Sequence, residues 1–391
     1  GEASPYRLSR LSTMLSLLML VASASAVATT ARTVAPAAVA ARIVRVAAPL
    51  RMQAGEASPP LSSLDPEANR PRPAAPPVEA PAGTETLPPT SFLSLIEQAA
   101  AATEKALADG SRLLEVEFPP VPLSKLEDSA ISAYDLLSAN LQLVLEYAQR
   151  LNRVLNASPD QSIAITLPDA AERVRATEYL GDAEPAPGVR LWALSGGDAQ
   201  PSPFGFLTSL VKSSDAAVEA APWASAYIVL GVSCAELPSI RKLAELDDST
   251  PIIAFNLKLD TLRGDLGLPG FPSKETHHAF LSRLKPVYYM RPRSYSLSLS
   301  RPPFLLSYQG VLFRCYPEGY QTLLDRGQGS YRRVCVQQRR PALGAFKAEL
   351  TRALKVDDAT AASAISQTGY KQSTWWEDDA DGRDLSADWR S

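Results

Sequence analysis

Two histidines, three cysteines, a pair of glycines and an arginine-rich block are the residues from which any chemistry in this chain would have to be built. His277 and His278 are adjacent. A metal centre needs further ligands at defined separations, and none stands at a recognisable spacing, so the pair reads as part of a polar loop and no metal is expected. Cys234 follows the apolar run Tyr227–Val232 and precedes a helical pattern, where helix N-terminal amides favour a thiolate. No histidine lies near it in sequence, so a small buried thiol is the simpler reading. Gly196 and Gly197 close another apolar run and could cradle a phosphate. The Gly-x-Gly-x-x-Gly fingerprint and the Walker lysine are both missing, which favours a plain turn. Asn256 ends a strand-like run, the place where open α/β sheets bind ligands, and is the best single polar candidate for a ligand contact. Its side chain is equally suited to capping a turn. These residues form no catalytic constellation, so no catalytic residue and no cofactor is expected.

The arginines are a stronger signal. Residues 283–355 hold 14 Lys/Arg against Glu318, Asp325 and Glu349, in a chain whose formal net charge is −3. Arg291, Arg293, Arg332, Arg333, Arg339 and Arg340 are interleaved with Tyr288, Tyr289, Tyr295, Tyr308 and Tyr331. Arginine beside tyrosine serves phosphate binding with base stacking, or an acidic protein or lipid surface. A solvated edge neutralised within the domain is the competing reading. The first makes these six arginines the partner-binding residues.

The elements that would position these groups centre on residues 224–260. Tyr227–Val232 and Ile252–Leu257 are continuous apolar runs of strand length, as in parallel strands buried on both faces. Between them Leu237, Ile240, Leu243, Ala244 and Leu246 recur at helical spacing. The expected fold is α/β, a Rossmann-like open sheet, parallel at the centre with antiparallel edge strands and helices on both faces. Upstream, Ser91 caps a helix ended by Asp109-Gly110, and Leu126–Leu155 is a long amphipathic stretch. Strands are expected at Ile163–Leu167 and Val189–Leu194, with a helix between them, and Phe204–Val211 reads as a turn or helix piece. Arg112–Phe118 alternates apolar with charged residues and predicts a strand exposed on one side. Residues 263–270 are too punctuated by glycine and proline for regular structure, and Gln309-Gly310 predicts a turn between two short antiparallel strands.

The ends differ from the middle. Met14 opens a short apolar run that closes on Ala24-Ser25-Ala26, and Val27–Ala54 contains no acid. A signal peptide followed by a transit peptide is expected over 1–54, a bipartite leader addressed to a plastid that lies within extra membranes. Residues 55–89 hold ten of the 33 prolines, so 55–88 predicts an extended disordered linker. The domain is expected at 89–355, followed by an acidic tail at 356–391. Three unpaired cysteines supply no disulfide framework, which fits a reducing compartment.

Local patterns then coincide: residues 94–110 leading into Arg112–Pro119; Ile252-Ile253-Ala254-Phe255-Asn256; Phe280-Leu281 before Val287-Tyr288-Tyr289-Met290; and Gly310-Val311-Leu312-Phe313-Arg314-Cys315-Tyr316-Pro317. In this order they resemble the plastid and cyanobacterial domain of unknown function 1995 family, over roughly residues 88–350. That family includes the low photosystem II accumulation proteins and a domain appended to some plastid adenylate kinases. The resemblance implies a non-enzymatic auxiliary factor for photosystem II biogenesis at the stromal or thylakoid surface of the plastid. Its partner would be a photosystem or thylakoid complex, with membrane contact only peripheral. An enzyme-like protein of the stroma, binding a nucleotide or phosphometabolite at the sheet's switch point, and an RNA-binding protein using the basic edge remain the alternatives.

Overall fold

A computed structural model describes residues 85–122, 132–155, 160–181, 185–197, 218–327, 329–355 and 373–391. The leader, the linker up to residue 84, the start of the long amphipathic stretch, Phe204–Val211 and residues 356–372 of the tail lie outside the described residues.

The two central apolar runs form β4 (Ala224–Val229) and β5 (Ile252–Phe255), which pair in parallel with Tyr227 opposite Ile252. The helix between them is α4 (Leu237–Leu246), numbered after α1 (Phe92–Ala108), α2 (Ala133–Leu155) and α3 (Ala170–Leu180). Leu237, Ile240 and Leu243 are its buried stripe, with proline in its first turn where no intrahelical donor is lost. The other strands are β1 (Leu113–Glu117), β2 (Ser162–Asp169), β3 (Val189–Ser195), β6 (Lys285–Ser298), β7 (Leu305–Cys315), β8 (Tyr320–Asp325) and β9 (Tyr331–Gln337). They make one nine-stranded sheet in the order β3-β2-β4-β5-β1-β6-β7-β8-β9. It is parallel from β3 to β6 and antiparallel from β6 to β9. This is the expected open α/β sheet.

Two cores flank the parallel part. Leu95, Ile96 and Ala99 of α1 and Val144, Tyr147 and Leu151 of α2 cover one face. Leu237, Ile240 and Leu243 of α4 and Leu259 and Leu262 of α5 (Leu259–Asp265) cover the other. A further helix, α7 (Leu343–Ala353), lays Phe346 and Leu350 on the antiparallel end against Tyr289, Leu312 and Tyr320.

Four of the expected elements are corrected by the fold. β1 has no solvent face: Glu115 and Glu117 are buried along with Leu114 and Val116. Alternation of period two marks two chemically different faces, and here the charged face looks into an ionic cluster rather than water. Gln309 and Gly310 lie inside β7, which pairs with β6 without a break from Cys315 to Leu305. Gly310 is required by close approach, since a Cβ there would meet the Leu350 side chain and sit 3.0 Å from the Leu323 carbonyl oxygen. Residues 259–265 form α5 rather than continuing as an irregular loop. Finally, the chain departs from the expected linker and tail at both ends. Thr86 donates to the Glu318 carboxylate, and Glu85 pairs with Arg333 at 2.7 Å. At the other end α8 (Trp375–Asp378) and α9 (Ala380–Arg383) fold back, burying Trp376 and Trp389.

Candidate site: a switch-point crevice backed by a buried ionic cluster

β1 and β5 are neighbours whose chains leave the sheet toward opposite faces, β1 toward α2 and β5 toward α5. That divergence opens a crevice at the carboxyl ends of the two strands, the usual ligand position in open α/β sheets. A cavity of about 320 Å³ lies there, lined by Glu117, Asn140, Asn256, Lys258, Thr261 and Arg291, with Phe118, Met290 and prolines as its apolar wall.

Asn256 lines this crevice at the end of β5. Its amide oxygen accepts a hydrogen bond from the Phe118 backbone N–H at 2.8 Å, and its amide nitrogen donates to Asn140 Oδ1 at 2.8 Å. The residue ties α2 to the ends of β1 and β5. Its φ of 51° and that of Lys258 at 54° are left-handed. Two such non-glycine residues in three positions mark a turn held in place by its surroundings.

Behind the crevice sits a cluster of charges that no single stretch of sequence announces. Asp260, in the first turn of α5, has Arg263 Nη1 at 2.9 Å, Arg291 Nη1 at 3.0 Å and Arg293 Nη2 at 3.6 Å, and Arg340 also pairs with it. The Tyr289 hydroxyl donates to the same carboxylate at 3.2 Å. Burial alone would raise the Asp260 carboxyl, yet Arg340, Arg291 and Arg263 together hold it well below the usual carboxylate range. Glu117 accepts from Arg291 at 3.3 Å. Glu115 has no hydrogen-bond partner on either oxygen, and burial pushes its carboxyl up to about 8, with Arg263 opposing and Glu117 adding. Arg340 also stacks over Tyr289, 4.6 Å from the ring centre, and donates to its hydroxyl at 2.6 Å.

The six arginines expected to meet a partner are therefore largely turned inward. Arg291, Arg293 and Arg340 serve Asp260, Arg333 serves Glu85, and Arg332 donates to the Ala353 carbonyl. Of the six, Arg339 alone is exposed. Local charge excess misled because the acids that pair with these arginines, Glu85, Glu117 and Asp260, lie far back in the chain. Tyr288, Tyr289 and Tyr308 are buried too, so they offer no stacking platform to bases.

Gly196 and Gly197 lie apart from the crevice, after edge strand β3, with β2 and β4 between. Both have positive φ, and a Cβ on Gly197 would fall 2.9 Å from the Trp192 ring and 3.2 Å from the Glu219 carboxylate. They form a packed turn beside an acid, a poor phosphate cradle. Cys234 is buried, and burial first, then Asp265 and Glu236, pushes its thiol up to about 11. It is the small buried thiol the sequence favoured.

His277 and His278 contradict the polar-loop reading. They lie in a short helix, α6 (Glu275–Ala279), and both are buried. Burial, helped by Arg263, pulls His277 down to about 2, so it is a neutral imidazole. Asp384 of the C-terminal segment approaches both rings, 2.9 Å from His278 Nδ1 and 3.4 Å from His277 Nε2. A separation of 106 residues hides this grouping from any local motif.

A family model described as Domain of unknown function (DUF1995) matches residues 89–348. No curated protein and no solved structure matches the chain.

Proposed function

From the premise that the chain belongs to the DUF1995 family, we propose that it is a non-catalytic binding and assembly module of the plastid, supporting photosystem II biogenesis at the thylakoid surface. The likeness of its motifs to low photosystem II accumulation proteins and the composition of its leader support the compartment and the process. The observation that carries the binding role is the β6–β7 hairpin. Its ladder runs on to the Ser298–Leu305 pair, whereas β8 joins β7 only over Gly310–Phe313. At its turn Phe304 and Leu305 are 61% and 57% exposed beside Arg301. An apolar tip with a cation next to it suits an acidic protein surface or the headgroup layer of a membrane. No described helix is long and apolar enough to cross a membrane, so the contact is peripheral in this reading.

Affinity purification of the tagged chain from plastid extract tests the proposal. Subunits of a thylakoid complex should co-purify, and Phe304→Ser with Arg301→Glu should release them. Recovery of the chain alone would refute the reading.

The crevice supports a second reading, a phosphate-bearing small molecule held between Lys258 and Arg291. A thermal-shift screen with nucleotides separates it. A ligand at 100 times its dissociation constant adds about 2.7 kcal/mol of stability, and Lys258→Ala should remove that gain.

A further inference from the structure

We infer that His277, His278 and Asp384 form a binding site for one divalent cation of the zinc class, which clasps the C-terminal segment to the body of the domain. Each residue offers one ligand atom, and these atoms all lie within 4.8 Å of one another. His277 Nε2 is 3.4 Å from Asp384 Oδ1. Two ligands of one tetrahedral zinc, each about 2.0–2.1 Å from the metal, stand about 3.3 Å apart. His278 Nδ1 at 2.9 Å from the same oxygen needs to open by only a few tenths of an ångström.

Two further observations point to a ligand. His277 is fully buried, and neither of its ring nitrogens has a hydrogen-bond partner; His278 Nε2 also lacks one. Buried polar atoms in a native fold are nearly always satisfied, so an orphaned imidazole beside a carboxylate calls for an occupant. Next, the Asp384 side chain is 3% exposed, and no Lys or Arg pairs with it among the described residues. Arg263, whose charge also lowers His277, pairs with Asp260 at 2.9 Å and not with Asp384. A cation between the imidazoles and Asp384 would supply the missing counter-charge.

The surroundings are also those of a metal site. The second Asp384 oxygen accepts from Trp389 Nε1 at 2.8 Å, fixing the carboxylate as outer-shell partners of metal ligands do. Trp375 and Trp389 stand edge-on to His277, each with its ring centre 5.5 Å away. Two imidazoles and a carboxylate also suit ferrous iron, but that chemistry wants open coordination positions. The indole walls close this site and favour zinc, with one water as the remaining ligand. The Leu385 backbone N–H donates to the His278 carbonyl at 2.9 Å, so the segment arrives in register with α6.

Stripping the full chain with a chelator and titrating it with Co²⁺ tests the site. The expected result is a visible ligand-field band that saturates at about one equivalent and is displaced by Zn²⁺. Tryptophan fluorescence should fall in parallel, since Trp375 and Trp389 flank the ion. Asp384→Asn keeps an acceptor for Trp389 but loses the charge, and it should lose the band. Where that variant alters the circular dichroism spectrum, His278→Gln takes its place. A wild-type chain without the band refutes the proposal whatever the variants do, and so does a folded variant that binds Co²⁺ as well as wild type.

Discussion

Asp260 is the counter-ion that four guanidiniums share, and its removal should be felt throughout the cluster. Asp260→Asn keeps the shape and leaves Arg263, Arg291, Arg293 and Arg340 without their common partner. Breaking such a buried pair costs about 3–5 kcal/mol, to be read from urea denaturation. Glu115 pulls the other way. Its carboxyl is raised from 4.5 to about 8, so between those values the folded chain holds a proton that the unfolded chain releases. Stability therefore falls as pH rises through this window. Glu115→Gln should flatten that fall and raise the urea midpoint at pH 8, with little change at pH 4. An equal effect at both values would show that the side chain is ionised throughout. Asp260, held low, has the opposite sign: its contribution is complete above 3.8 and lost only in strong acid.

At the scale of elements, the antiparallel end depends on α7 meeting β7 without a side chain between them. Gly310→Ala would put a methyl group 2.7 Å from Leu350 Cδ2, an overpacking worth about 1–3 kcal/mol. Leu350→Val in the same chain should recover part of the loss, and a double-mutant cycle would read that coupling. Additive losses would place the strain elsewhere. The elements that sequence made legible were those whose partners are local. β4, α4 and β5 follow from two apolar runs and one helical stripe, and α1 from its cap and terminal glycine. β1 was legible as a strand and not as a buried one, because Glu115 and Glu117 look the same in sequence whether they face water or arginine. Asn256 was placed correctly at a strand end, but its engagement with Phe118 and Asn140 depends on contacts that no spacing encodes.

For the whole molecule, a chain-level count of charge is a poor map of its surface. Arg339 and Arg340 are adjacent, yet one is exposed and the other has a side chain only 4% exposed. Arg339→Glu should leave stability within about 0.5 kcal/mol of wild type. Arg340→Glu, which sets a second carboxylate against Asp260, should prevent folding, as circular dichroism would show. If both variants fold, the cluster is wetter and more adaptable than its burial indicates.

The place of β1 in the sheet carries a consequence in time. It is the first of the described strands to be made, but its neighbours are β5 and β6, so Leu113 must wait for Ile252 and Leu114 for Lys285. Closing loops of that length is slow, and pairings between distant strands form late. A chain leaving a ribosome or threading a translocation pore N-terminus first would hold Leu114 and Val116 in the open until β5 and β6 had followed. Pulse-labelled hydrogen exchange during refolding should find β1 amides protected together with those of β6 and after those of β2 and β3. Protection of β1 ahead of its neighbours would mean that the strand finds a temporary companion, the kind of service a chaperone supplies.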